Sequence, residues 1–178
     1  MSAPKLPLSL RFYGISPWEL EVLYSLLHNL FDVKEDPNAS QDEDFTTMLD
    51  ISMPMEFNEL FFKWFGIPRW EKIKYIIKEM KRRRGGGKSL CVYIKFKGKP
   101  DVTFLIDLDD RHSFDTAIDK IDFVLELLPY HLDPNKLPKG IKKISYQFNE
   151  LNGKWNVRAD GELGEQTYQF SENGWKII

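Results

Sequence analysis

The sequence predicts an α+β fold, with a mixed or antiparallel sheet that is covered by amphipathic helices and ends in a four-strand antiparallel meander. Three observations predict it. Helical and strand-like hydrophobic periods alternate along the chain as far as residue 131. Beyond residue 140 the period is two. Two Asn-Gly pairs, Asn152-Gly153 and Asn173-Gly174, divide those last strands into hairpins, because both central positions of a type I′ turn need a positive φ angle.

The chain begins with a strand followed by a helix. Leu6–Tyr13 alternates apolar residues with others, which is typical of a half-buried strand. Ser16 and Glu19 then form a Ser-x-x-Glu capping box, which marks the start of a helix. Leucines at helical spacing extend that helix to about Val33. The polar, acidic segment 34–44 predicts a solvated loop.

The middle of the chain predicts one strand and two helices. Apolar residues share one parity in Phe45–Met53, which indicates a strand. Met55–Phe65 holds five aromatic residues and predicts a short buried helix that ends at Gly66. A second amphipathic helix begins at Pro68 and ends at Gly85–Gly87.

A hairpin and a long helix follow. The alternating segments 90–96 and 102–108 are joined by a Gly-Lys-Pro-Asp turn, which predicts a β-hairpin. Ser113 is the expected cap of a helix that continues, with one apolar stripe, until it stops before Pro129. Segment 132–140 contains two prolines and is the candidate connector to the last strands.

We interpret residues 1–178 as one domain with two parts, a helix-rich α+β body over 1–131 and a C-terminal antiparallel meander over 141–178. In the meander, alternation places three residues opposite three others across the first Asn-Gly turn. The expected partners are Ile144, Tyr146 and Phe148 with Ala159, Val157 and Trp155. Across the second turn, Tyr168 and Phe170 are expected to face Ile177 and Trp175.

The composition limits the class of protein. With 42% hydrophobic and 29% charged residues, the chain resembles an average globular protein. Its single cysteine, Cys91, excludes an internal disulfide and a cysteine-based zinc site. Residues 1–20 lack a basic segment followed by an apolar run, so we expect no signal peptide. No apolar run approaches the ~20 residues of a membrane span. We therefore expect a cytoplasmic protein without membrane partners.

The segment Lys72–Lys88 is strongly basic. It holds eight lysines and arginines and one carboxylate, in a chain whose net charge is −2. Cations beside Gly85–Gly87 favour contact with nucleic-acid phosphates. The residues expected to make that contact are Lys81, Arg82, Arg83, Arg84 and Lys88. The alternative is a solvated helix end, where cations complement the helix dipole and a glycine ends the helix.

Asp107 and Asp109 are the candidate metal ligands. At positions i and i+2 of a strand, two carboxylates point to one side and can share Mg²⁺ or Mn²⁺. This apolar-Asp-apolar-Asp segment is similar to the metal-binding strand of primase–polymerase enzymes, and it resembles the Asp-x-Asp strand of haloacid-dehalogenase-type phosphatases. The first resemblance implies phosphoryl transfer with two metal ions, although no Ser-x-His strand matches the nucleotide-binding part of that family. Alternatively, both aspartates face solvent before a helix cap.

The polar stripe of the following helix is acidic. It consists of Asp115, Asp119, Asp122 and Glu126, spaced at four, three and four residues. Such a stripe can bind a basic partner or the chain's own Lys72–Lys88 segment. The alternative is an ordinary solvated helix face.

No catalytic or cofactor motif rises above coincidence, so we favour a protein that is not an enzyme and holds no cofactor, with Mg²⁺ or Mn²⁺ at Asp107 and Asp109 as the alternative. Three hypotheses follow. The first is a non-enzymatic intracellular interaction or accessory module that binds another macromolecule, by preference a protein, through segregated charged surfaces. The second is a nucleic-acid-binding accessory protein that uses Lys72–Lys88. The third is a metal-dependent phosphoryl-transfer enzyme that uses Asp107 and Asp109.

Overall fold

The computed structural model describes residues 3–37, 44–162 and 166–178, and it confirms the α+β class with a mixed sheet. The strands are β1 (Leu6–Tyr13), β2 (Phe31–Asp36), β3 (Met48–Met53), β4 (Cys91–Phe96), β5 (Asp101–Ile106), β6 (Ile141–Asn149), β7 (Lys154–Gly161), β8 (Thr167–Ser171) and β9 (Gly174–Ile177). The helices are α1 (Pro17–Leu27), α2 (Glu59–Phe65), α3 (Ile67–Arg84), α4 (Arg111–Asp119), a 3₁₀ segment (Asp122–Glu126) and the single turn α5 (Leu128–His131).

All the described strands belong to one sheet with the order β2-β1-β3-β4-β5-β6-β7-β8-β9. Three neighbouring pairs are parallel, namely β1–β2, β3–β4 and β5–β6, and helices connect the strands within each pair. The remaining neighbours are antiparallel. The expectation that the chain ends in a distinct four-strand meander is corrected, because β6 pairs with β5 and the last strands continue one nine-stranded sheet.

The first helix has the predicted start and a different end. Ser16 Oγ accepts the Glu19 amide at 3.3 Å, and Glu19 Oε1 accepts the Ser16 amide at 3.0 Å, which completes the capping box. The helix ends at Leu27, and Phe31–Asp36 forms the edge strand β2 rather than helix and loop. This segment forms a strand because of tertiary contacts, since the backbone of β2 finds its hydrogen-bond partners in β1. Residues 38–43 of the predicted loop lie outside the described residues.

The prediction of one long helix after Ser113 is wrong in two respects. It begins at Arg111, because Asp110 caps it by accepting the Ser113 amide at 2.9 Å. It also breaks after Asp119 into the 3₁₀ segment and α5. At the break, the indole of Trp155 donates to the Lys120 carbonyl at 3.3 Å, and the Lys120 ammonium donates to the Gly153 carbonyl at 2.9 Å. The first contact binds a carbonyl that a continuous helix would use internally, and the second ties the Lys120 side chain to the turn before β7.

Other boundaries shift by a few residues. The strand predicted from Phe45 begins at Met48. The aromatic helix begins at Glu59, where Asn58 caps it by accepting the Phe61 amide at 2.9 Å. Both C-terminal hairpins have the predicted partners, from Ile144 opposite Ala159 to Phe170 opposite Trp175.

One face of the sheet shares a single core with the helices. Its side chains alternate with outward residues along each strand, and they join the buried residues of α1, α2, α3 and α4 in one cluster. Aromatic rings form the centre of that cluster. Phe57 lies 5.0 Å from Phe96 and 5.1 Å from Phe104 between ring centroids, and Phe62 lies 5.2 Å from Trp70. The aromatic segment is therefore mainly core, with Leu60 and Trp64 remaining exposed.

Candidate functional site

Arg84, the last residue of α3, is bound within the fold. Its Nη1 and Nη2 donate to the two carboxylate oxygens of Glu19 at 2.7 and 2.6 Å. Nη1 also donates to the Met80 carbonyl and Nη2 to the Gly14 carbonyl, while Nε donates to the Thr47 hydroxyl at 3.0 Å. These contacts use the five N–H groups of a guanidinium. Arg84 therefore joins α3 to the start of α1 and to the segment before β3.

Lys81 is buried completely, although it was predicted to contact phosphate. Its ammonium donates to the Gly87 carbonyl at 3.0 Å and to the Ser89 hydroxyl at 3.1 Å, and it lies 5.6 Å from the centre of the Phe114 ring. Burial lowers the pKa of Lys81 below 10.5, partly offset by nearby aspartates. Lys81 thus holds the glycine segment against the end of α3.

The acidic stripe binds the chain's own basic segment, as one of its two interpretations anticipated. Lys74 donates to Asp122 Oδ1 at 3.1 Å, and Lys78 donates to Asp119 Oδ1 at 2.8 Å. The indole of Trp70 shares Asp122 at 3.2 Å. Most of the positive charge along this side of α3 is therefore balanced by acidic residues that follow β5 in the chain.

The other cations of the basic segment differ in exposure. Arg82 forms an ion pair with Glu79 on its own helix. Arg83 lies 5.3 Å above the Trp18 ring and 3.6 Å from Glu19. Lys88 is exposed, 6.0 Å from the centre of the Phe45 ring. Of the five predicted phosphate-binding residues, Arg82, Arg83 and Lys88 thus remain at the surface.

The structure places Asp107 and Asp109 after β5, which ends at Ile106. Asp107 accepts a hydrogen bond from the Gln147 amide at 3.4 Å, whereas Asp109 is exposed. The backbone of Asp109 adjoins Gly86, so this acidic turn and the glycine segment are neighbours. Within residues 3–37, 44–162 and 166–178, no three histidine, cysteine or carboxylate side chains are grouped as a metal site would need.

His131 is the buried histidine of α5. One ring nitrogen lies 2.9 Å from the Tyr146 hydroxyl, and its ring centre lies 4.7 Å from that of Phe170. Burial lowers the pKa of His131 to about 4, and burial raises the pKa of Tyr146 well above its usual range. A neutral imidazole therefore joins α5 to the inner face of the sheet.

The outward face of strands β4 to β9 is a surface that sequence reasoning did not assign. Strand register aligns its residues in rows perpendicular to the strands. One row, which we name the basic row, contains three cations and no carboxylate: Lys95, Thr103, Ser145, Arg158, Gln169 and Lys176. The adjacent row, which we name the Tyr93 row, contains Tyr93, Leu105, Gln147 and Asn156.

The cations of the basic row are not equally available. Lys95 donates to the buried carboxylate of Asp50 at 2.8 Å, and its ammonium lies 5.2 Å from the centre of the Tyr93 ring. Arg158 and Lys176 are exposed, and neither side chain makes an ion pair or hydrogen bond within the described ranges. Two strong donors thus point from this face into solvent.

A shallow depression lies where the two rows meet. It has a volume of about 250 Å³, and its lining includes Tyr93, Leu105, Ser145 and Arg158. Lys143 stands at its border, with Asp101 and Asp160 opposite it on the neighbouring strands. The depression combines the Tyr93 ring, hydroxyl groups and the Arg158 guanidinium with the carboxylate of Asp160.

Sequence reasoning missed this surface although part of its signal was visible. The alternation that placed Ile144 and Val157 inside also places Ser145 and Arg158 outside. Their alignment into rows requires the pairing of β5 with β6, which are separated by α4 and α5 along the chain.

The comparisons with known proteins identify no relative. No protein-family model matches the chain, and no curated protein or solved structure shows significant similarity to it. Among the helices that the structure describes, none is both long and apolar enough to cross a membrane.

Proposed function

We propose that this protein is a non-enzymatic interaction module that binds an anionic macromolecule on the outward face of strands β4 to β9. The observation that carries the proposal is the basic row, in which Arg158 and Lys176 are exposed cations without partners in the described chain. Unpaired cations on one face attract an anionic partner and set its orientation.

The fold supports this choice of face. All-parallel sheets have both faces covered by crossover helices, whereas antiparallel strands, such as β6 to β9 here, can leave one face in solvent. Here the buried side chains of α1 to α4 join the inner face in one core, while the outward residues Arg158, Gln169 and Lys176 are exposed. An exposed face of this kind is accessible to a partner without any rearrangement of the core.

The basic segment Lys72–Lys88 is the second candidate surface. Its support is the exposure of Arg82, Arg83 and Lys88. Less of its positive charge is available to a partner, because Lys74, Lys78 and Arg84 are each bound to a carboxylate of the same chain. We therefore place the outward sheet face first.

Retention on immobilised heparin at pH 7 tests the proposal and separates the two surfaces. We expect the double variant Arg158→Glu/Lys176→Glu to elute at a lower salt concentration than the unmodified protein, because each reversal removes one contact with the polyanion. The matched control Lys72→Glu/Lys88→Glu changes the charge by the same amount on the other side of the molecule, and we expect its elution to stay unchanged.

Two results would overturn the proposal. One is the absence of retention at low salt. The other is the reverse pattern, in which the Lys72→Glu/Lys88→Glu variant loses retention and the sheet-face variant keeps it. That pattern would assign anion binding to the basic segment. Thermal unfolding of each variant, monitored by circular dichroism, confirms that a lost contact does not reflect a lost fold.

A further inference from the structure

We infer that the anionic partner of the outward face is a single-stranded nucleic acid, with its phosphates along the basic row and its bases over the Tyr93 row. The inference rests on the proposed function and goes further by naming the class of partner. Its starting point is that the two rows are adjacent and chemically different. One offers cations and hydroxyl groups, and the other offers a ring and amide groups.

The basic row has the properties that a phosphate backbone requires. Strands lie about 4.8 Å apart, so Arg158 on β7 stands roughly 10 Å from Lys176 on β9. Lys95 on β4 belongs to the same row, but its ammonium is already paired with Asp50. Beside these cations the row contains the half-buried hydroxyl of Ser145 and the exposed amide of Gln169, whereas Thr103 is buried. Side chains of these types donate hydrogen bonds to phosphate and sugar oxygens without reading the sequence. The row therefore fits a backbone that crosses the strands over several nucleotides.

The Tyr93 row has the properties that unstacked bases require. Tyr93 lines the depression beside Leu105, which supplies apolar surface next to the ring. An aromatic ring offers every base a stacking partner. Gln147 and Asn156 are exposed and paired in register, and their amide groups can donate to and accept from base edges. Two rows of this kind hold a backbone on one side and bases on the other.

The same geometry excludes a duplex as the preferred ligand. A duplex keeps its bases stacked inside, so it would contact the basic row and leave the Tyr93 row without a partner. An acidic peptide would also use the cations alone, since carboxylates gain nothing from the Tyr93 ring. Dependence on Tyr93 therefore distinguishes a single strand from both alternatives.

Fluorescence anisotropy with three labelled probes tests the inference. The probes are a twelve-nucleotide single-stranded oligouridine, a twelve-base-pair RNA duplex and a glutamate-rich peptide. We expect the unmodified protein to bind the single strand at least about tenfold more tightly than the duplex at low salt. Between 50 and 200 mM salt, the Arg158→Glu/Lys176→Glu variant should show a log–log salt slope smaller by about 1.4, since each phosphate contact with a single strand contributes about 0.7.

Variants of Tyr93 provide the second measurement. Tyr93→Leu retains apolar contact with the sheet and removes the aromatic ring, and Tyr93→Ala removes both. We expect each variant to weaken single-strand binding about tenfold and to leave retention on heparin unchanged. The matched control Tyr75→Ala removes an exposed tyrosine from α3, 64% of whose surface is accessible, and should bind as the unmodified protein does.

The outcomes separate this inference from the proposed function. If the protein binds heparin through Arg158 and Lys176 but binds the duplex or the peptide as tightly as the single strand, the nucleic-acid inference is wrong and the interaction module stands. Equal single-strand affinity of the Tyr93 variants and the unmodified protein would also overturn the inference. If retention on heparin is absent as well, the proposed function fails together with it.

Discussion

Glu19 and Arg84 form a buried bidentate ion pair, with N–O distances of 2.7 and 2.6 Å, between the first turn of α1 and the last turn of α3. Burial by itself raises the pKa of Glu19, but hydrogen bonds from Arg84 and the Ser16 amide outweigh it and lower the pKa from 4.5 to about 2. The pair thus connects two helices whose neighbouring strands, β1 and β4, lie on opposite sides of β3.

Glu19→Gln should destabilise the protein by about 3–5 kcal/mol at pH 7, because it leaves the Arg84 cation buried without its counter-charge. Urea unfolding followed by circular dichroism measures the change. The matched control is Glu79→Gln, which removes an ion pair with Arg82 that lies largely at the surface and should cost less than about 1 kcal/mol. Equal effects of the two substitutions would contradict the structural role of Glu19.

The Glu19–Arg84 ion pair should also make the free energy of unfolding depend on pH in the acidic range. Since the folded pKa of Glu19 lies below its unfolded value, its contribution to stability is complete above pH 4.5 and is lost as the pH falls toward 2. The free energy of unfolding of the unmodified protein should therefore decrease across this window more steeply than that of Glu19→Gln. Parallel curves for the two proteins would show that Glu19 does not titrate with the depressed pKa.

His131 should control stability at milder acidity. Its folded pKa of about 4 lies below the ordinary value of 6.5, so the folded state binds fewer protons between these values. Stability should fall as the pH decreases from 6.5 to 4, and His131→Leu should reduce that fall. Tyr146→Phe keeps the imidazole and should preserve the pH dependence. If Tyr146→Phe loses this pH dependence of stability, the dependence does not arise from burial of the His131 imidazole.

Lys81 should make the stability of the protein depend on pH in the alkaline range. Burial lowers its pKa below 10.5, so the unfolded state binds more protons than the folded state below pH 10.5, and stability rises with pH toward that value. Lys81→Met removes this contribution. We expect the difference in unfolding free energy between variant and unmodified protein to shift in favour of the unmodified protein as the pH rises. A constant difference would contradict the buried, shifted lysine.

Divalent cations should leave the protein unchanged. Asp107 accepts a hydrogen bond from Gln147 at 3.4 Å, and Asp109 lies exposed beyond the end of β5. We therefore expect these two carboxylates not to replace the water that Mg²⁺ would lose. Addition of MgCl₂ or MnCl₂ should not raise the melting temperature. An increase that the Asp107→Asn/Asp109→Asn variant lacks would instead establish a metal site at this turn.

Local signals predicted the parts of this fold that depend on neighbouring residues. The capping box at Ser16 and the Asn-Gly turns specify backbone geometry within a few positions. The start of α1, the register of β6 with β7 and the register of β8 with β9 were therefore predictable. The strand β2 was not predictable from local signals. Its segment, Phe31–Asp36, has no clear hydrophobic period of its own and becomes a strand by pairing with β1.

The surfaces were harder to predict than the elements. The basic character of Lys72–Lys88 was plain in the sequence, but its neutralisation requires Asp119 and Asp122, which approach only in the folded chain. The basic row requires the register of six strands at once. No sequence window contains both Lys95 and Lys176, so their alignment follows only from the complete strand order.

The strand order also has a consequence for folding kinetics. The strands β8 and β9 meet across a short turn, so their pairing costs little loop-closure entropy and should occur within about 1–10 μs. The pairing of β3 with β4 must enclose α2 and α3, and the pairing of β1 with β3 must enclose α1 and β2. We therefore expect the C-terminal hairpins to form early, and the closure of the N-terminal pairs to determine the rate at which the native sheet is completed.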